Sequence, residues 1–231
     1  MTSRLVLASF AVLLASVGCA AAPPPPPAAP IVEAKPIDAP SEIGYEATVG
    51  GLPEEAMNRA FATFGKEVER CVSDGSSRLD AIGGHVKITL KVDRSGVAKD
   101  VWVSESALGD RETEKCLVDA AKGRSWPKAV GGDGLASTSF DATPAKDRQT
   151  VDEKKLRGPI NQVRASAQRC RRGVDGAFVV TAYVRADGHV ESAGLAMSTA
   201  DAEQAADCIV GVVKNTRFGI PGRSSKLSFT L

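Results

Sequence analysis

Val86, Ile88, Leu90 and Val92 alternate with His85, Lys87, Thr89 and Lys91. Successive side chains of a strand point to opposite faces, so the alternation predicts a strand with one buried face. Asp93-Arg94-Ser95-Gly96 follows as a turn whose glycine accepts positive φ, and Val97 to Val103 returns as the second arm of a hairpin. Ahead of the hairpin, Met57, Ala60, Phe61, Phe64 and Val68 recur at helical spacing within 53–72. Pro53 near the start and Glu54 and Glu55 in the first turn suit a helix N-terminus. Residues 110–126 read as a second helix and 138–142 as a closing strand, giving the order α-β-β-α-β.

The same order then recurs. With an offset of 92, Gly84 meets Gly176, Val92 meets Val184, Gly96 meets Gly188, Cys116 meets Cys208 and Trp126 meets Phe218. Upstream, Cys71 corresponds to Cys170, with seven more residues before the strand in the first copy. In the second copy Leu156, Ile160, Val163 and Ala167 form the helical stripe, and Gly158-Pro159 inside it predicts a kink or a start at Pro159. Phe178, Val180, Ala182 and Val184 form its buried strand row. Thr199 is the candidate cap of its second helix, whose inner face carries Ala202, Ala205, Ala206, Ile209 and Val213. An internal duplication accounts for these spacings. The expected class is α+β: two tandem α-β-β-α-β units, each a three-stranded antiparallel sheet with two helices on one face.

Five cysteines add a constraint: Cys19, Cys71, Cys116, Cys170 and Cys208. Cys71 ends the first helix of its copy and Cys116 lies in the second, so a bridge would pin the helices over the sheet; Cys170 and Cys208 would do the same in the other copy. Each bridge closes a loop of roughly 40 residues and contributes a few kcal/mol in the chain-entropy model. A unit this small gains from such a staple. Four buried free thiols are the alternative; a four-cysteine metal site lacks any Cys-x-x-Cys pairing.

The N-terminus carries Arg4, an apolar run from Leu5 to Val17, then Gly18-Cys19 and, from Pro23, five consecutive prolines. The layout is that of a secretory signal, with an apolar run short of the roughly 20 residues that span a bilayer. Ser16-Val17-Gly18-Cys19 resembles the lipobox of bacterial lipoproteins, with Ser16 in the place usual for leucine. The resemblance implies cleavage before Cys19, acyl chains on Cys19 and, with Ala20 rather than aspartate next, the periplasmic face of the outer membrane. Residues 20–44 hold eight prolines and read as a stiff polyproline spacer. The division expected is 1–18 signal peptide, 19–49 lipidated cysteine and disordered Pro/Ala-rich linker, 50–145 unit one and 146–231 unit two.

The repeat itself resembles the C-terminal domain of TonB and, more closely, the AgmX/PglI-type C-terminal domains of myxobacterial proteins. The residues that carry this are Cys71, Gly84, Ser95-Gly96, Cys116, Trp126-Pro127 and Phe140, then Cys170, Gly176, Asp187-Gly188, Cys208, Phe218 and Phe229. Gly219 follows Phe218 where the pattern has proline. The resemblance implies a binding role in an envelope or gliding-motility complex, a periplasmic or envelope protein docking by strand addition to a sheet edge. A peptidoglycan- or carbohydrate-binding lipoprotein is the alternative.

Composition narrows the classes further. A formal net charge of +1 and 5% aromatic residues give neither the field nor the stacking platform of a nucleic-acid binder. His85 and His189 do not align between the copies, and pairing either with Ser95 or Ser198 as a nucleophile has no pattern behind it. Asp110, Glu112 and Glu114 read as favourable charges at a helix start. No catalytic residue, metal site or cofactor is assigned. Lys154, Lys155, Arg157, Arg164, Arg169, Arg171 and Arg172 gather near one helix. They read first as a solvated face, with Arg164, Arg171 and Arg172 as candidates for anionic head groups or an acidic partner. Trp102, where copy two has Gly194, is the remaining binding candidate, exposed or against the sister copy.

Overall fold

A computed structural model describes residues 44–48, 51–219 and 222–231. In the first copy, strand β1 (Gly44–Thr48) precedes helix α1 (Glu54–Arg78), the hairpin β2 (Gly84–Val92) and β3 (Ala98–Ser106), helix α2 (Arg111–Lys122) and strand β4 (Gly134–Ala142). In the second, β5 (Gln149–Val151) and a 3-10 turn precede α3 (Arg157–Ala167), the hairpin β6 (Phe178–Val184) and β7 (Val190–Met197), then α4 (Glu203–Lys214) and β8 (Ser225–Thr230). The expected α-β-β-α-β order is present twice.

Each copy builds its own core. Val86, Ile88, Leu90 and Val92 bury one face of β2 against Met57, Phe61, Phe64 and Val68 of α1 and Leu117 and Ala121 of α2. Phe178, Val180, Ala182 and Val184 of β6 do the same against Ile160 and Val163 of α3 and Ala206, Ile209 and Val213 of α4. Both helix pairs are bridged, Cys71 to Cys116 and Cys170 to Cys208. The hairpin turns match in detail. Trp126 N–H donates to Gly96 C=O and Phe218 N–H to Gly188 C=O, each at 2.8 Å, so the aromatic that closes each core is hung on the turn glycine of its own hairpin.

The sheets are wider than expected from sequence. Each has four strands, in the orders β1-β4-β2-β3 and β5-β8-β6-β7. The added outer strand comes each time from just ahead of the copy's first helix. β1 runs antiparallel to β4, whereas β5 runs parallel to β8. Gly44–Thr48 therefore forms a strand inside the stretch assigned to the linker. Helix α1 also outruns its sequence-based limit, continuing to Arg78. The seven extra residues of copy one extend the helix, which brings Arg78 to the start of α2. In copy two Pro159 occupies the first turn of α3, where its missing N–H would have had no helical partner anyway.

Candidate functional site

Two places stand out, the end of β4 beyond its pairing with β1 and the seam between the copies. The edges of the two sheets differ through one helix position. With Cys71 on Cys170, Gly65 of α1 corresponds to Arg164 of α3, and with Phe140 on Phe229, Asp141 corresponds to Thr230. In copy two the Arg164 guanidinium reaches over the sheet and donates twice to the Thr230 carbonyl, at 2.8 and 3.1 Å, capping the edge beyond β5. In copy one Gly65 has no side chain to send, and no described side chain caps the Asp141 carbonyl. A cleft of about 120 Å³ remains between α1 and the end of β4, lined by Gly65, Val68, Val72, Phe140 and Ala142, with the carboxylates Glu69 and Asp141 beside them. Among the described residues, β1 pairs with β4 from Leu135 to Ser139, and Phe140 to Ala142 continue beyond the last of these pairs. An extended segment laid along this end would meet main-chain groups and place one side chain in a largely apolar cleft flanked by Glu69 and Asp141.

The seam joins the uncovered face of the second sheet to one end of copy one. Thr181, Tyr183, Ser192, Gly194 and Ala196 point away from the helices of copy two, yet all are buried. Tyr183 Oη donates to the Ala81 carbonyl, and Lys226 Nζ donates to the Gly83 carbonyl at 2.8 Å. Burial pushes the Tyr183 phenol up to about 12. Asp110 caps α2 through the Thr113 N–H at 3.0 Å and also accepts from Ser192 of β7 at 2.7 Å and from Arg78 at 2.7 Å. Burial opposes its ionisation, but the hydrogen bonds from Thr113, Ser192 and Arg78 outweigh it and hold the carboxyl below its ordinary value. Arg111 crosses to copy two, pairing with Glu203 and with Asp207, the latter at 2.8 Å.

Glu114 lies deepest in this seam, with no solvent exposure. One carboxyl oxygen accepts from Ser106 Oγ at 2.6 Å and the other from the Leu195 N–H of β7 at 2.8 Å. A Cβ on Gly194 would stand 2.3 Å from Glu114 Oε1, so only glycine lets β7 come this close. The reading of Glu114 as a simple helix-start charge is therefore corrected: it is a buried joint between copies. Asp110 is the N-cap, and Glu112 alone of the three is exposed, paired with Arg78 at 3.0 Å. The repeat alignment held a signal for this, since Asp110, Thr113 and Glu114 all align with alanines, Ala202, Ala205 and Ala206. Polar side chains in one copy opposite alanine in the other mark a surface with an extra duty.

Trp102 follows from strand alternation. Val101 and Val103 enter the core of copy one, so Trp102 leaves by the other face, and it packs half-buried against the core of copy two. Of the basic candidates, Arg164 is spent on Thr230, and Arg171 donates to the Gly176 carbonyl at 2.8 Å while lying over the Phe178 ring. Arg172 is exposed. Cys19, the signal segment and the proline run lie outside the described residues. His85 faces Asp141 and Glu105 on the sheet surface, and His189 is exposed beside its turn. Among the described residues no group of His, Cys, Asp and Glu is placed to hold a metal, and no helix is long and apolar enough to cross a membrane. Compared with family models, curated proteins and solved structures, the chain gives no match.

Proposed function

We propose that this chain is a non-catalytic binding module of the cell envelope. Cys19 tethers it by acyl chains to the periplasmic face of the outer membrane, and the proline run holds the paired units off that surface. Its partner is an envelope protein that lays an extended segment along the end of β4, at Phe140 to Ala142, beyond the pairing with β1. The observation that supports this most is the difference between the copies: Arg164 closes the edge of β8, and Gly65 leaves a cleft beside the end of β4. Strand addition would use the main chain for affinity and the cleft for one apolar side chain.

Affinity capture after crosslinking in intact cells tests the reading. The full chain should bring down one envelope protein reproducibly. Val72→Glu, which replaces an apolar residue of the cleft with a carboxylate beside Glu69 and Asp141, should abolish that capture while leaving the circular dichroism spectrum and both disulfides intact. Cys19→Ser should release the protein from membranes. Capture indifferent to Val72→Glu, or recovery only with purified cell-wall sacculi, would replace strand addition with the wall-binding alternative.

A further inference from the structure

Every carboxyl near Glu114 has a cation or a donor of its own. Asp110 on the same helix has Arg78, Thr113 and Ser192; Glu203 and Asp207 on α4 have Arg111; Glu112 has Arg78. Two guanidinium groups thus serve four carboxylates before Glu114 is reached, and Glu114 faces Ser106 from β3, the Leu195 N–H from β7, Asp110 at close range and Arg111, whose Nε and Nη2 are engaged by Asp207 and Glu203 and whose Nη1 is buried without a hydrogen-bond partner. An ionised Glu114 is a fifth negative charge, held by two neutral donors and, among the described residues, by no ion pair. The neutral acid keeps both contacts, because its hydroxyl can donate to Ser106 Oγ while its other oxygen accepts from Leu195.

We propose that the seam is a proton-operated joint, closed when Glu114 is protonated and loosened when it ionises, so that opening frees the Leu195 edge of β7. Burial pushes the Glu114 carboxyl up to about 7, against the hydrogen bonds from Ser106 and Leu195 and the pull of Arg111. The sign follows from proton linkage. The closed seam holds a proton that the open, hydrated one releases at an ordinary carboxyl value of 4.5, so closure weakens as pH rises from 4.5 through 7 and changes no further above that. The inference stands independently of the partner reading, since it concerns how the copies hold each other.

Nuclear magnetic resonance on the full chain decides it. The Glu114 carboxyl carbon should titrate near neutrality. The protection factor of the Leu195 amide, corrected for intrinsic exchange, should fall about tenfold between pH 6 and 8.5. Glu114→Gln, a permanently neutral analogue, should keep its protection across that range. A Glu114 titration in the ordinary glutamate range, or Leu195 protection that is independent of pH, would overturn the proposal on the wild-type chain alone; so would a pH dependence that survives in Glu114→Gln.

Discussion

At the scale of single residues, the fold turns on a few side chains with several partners each. Asp110 caps α2, holds Arg78 and receives Ser192 from the other copy. Asp110→Ala removes a cap, usually about 0.5–2 kcal/mol, and strands a buried donor, usually about 1–3 kcal/mol. A loss of about 2–4 kcal/mol in urea unfolding is expected. Because the folded-state pKa of Asp110 is lowered from 3.8, its contribution is complete above that value and is lost as pH falls through the lowered one. The acid limb of the wild-type stability profile should therefore flatten in Asp110→Ala. Gly194→Ala probes the same seam by volume. With Glu114 Oε1 at 2.3 Å from the new methyl group, a loss of about 1–3 kcal/mol is expected. Adding Glu114→Ala should make the pair strongly non-additive in a double-mutant cycle, since the second change vacates the space the first requires.

At the scale of elements, the long periodic segments were legible because one face of each is buried. The alternation of β2 and β6, the turns at Gly96 and Gly188, the helix stripes and the cysteine pairing all appear where the spacing places them. The outer strands were not legible. β1 has five residues and β5 three, and each owes its conformation to pairing with β4 or β8 rather than to a pattern of its own. The end of α1 was hidden for another reason. Its last turns read Ser-Asp-Gly-Ser-Ser-Arg, poor helix formers by propensity. Packing overrides them: a Cβ at Gly75 would lie 2.2 Å from Thr113 Oγ1, so glycine is what lets α1 run past α2. Gly75→Ala should thus lower the melting temperature even though alanine is the better helix former; a rise would contradict the close approach. The cleft beside β4 was legible only in hindsight, through Gly65 standing where copy two has Arg164. Cys116→Ser should cost roughly 2–5 kcal/mol, the usual range for a native bridge in a small unit.

At the scale of the molecule, duplication has been followed by a division of labour. Copy one turns the polar end of α2 against the second sheet, and copy two supplies Gly194 and Ser192 to receive it. Tyr183, Lys226 and Trp102 complete the seam, so the face of the second sheet that a free unit would expose is covered. Arg164 caps the outer edge of copy two, and among the described residues no side chain makes the matching contact in copy one. Trp102→Ala should accordingly loosen the seam, seen as faster amide exchange along β7, while the core strands of copy one keep their protection.

The proposed function places an extended partner on the end of β4. A photoreactive amino acid placed at Asp141, exposed on that edge, tests it most directly, with the same probe at Asp119 on α2 as control. Strand addition predicts a discrete adduct with one envelope protein from Asp141 and none from Asp119, with the adduct mapped to an extended stretch of the partner. Equal labelling from both positions, or no protein adduct from Asp141, would contradict it.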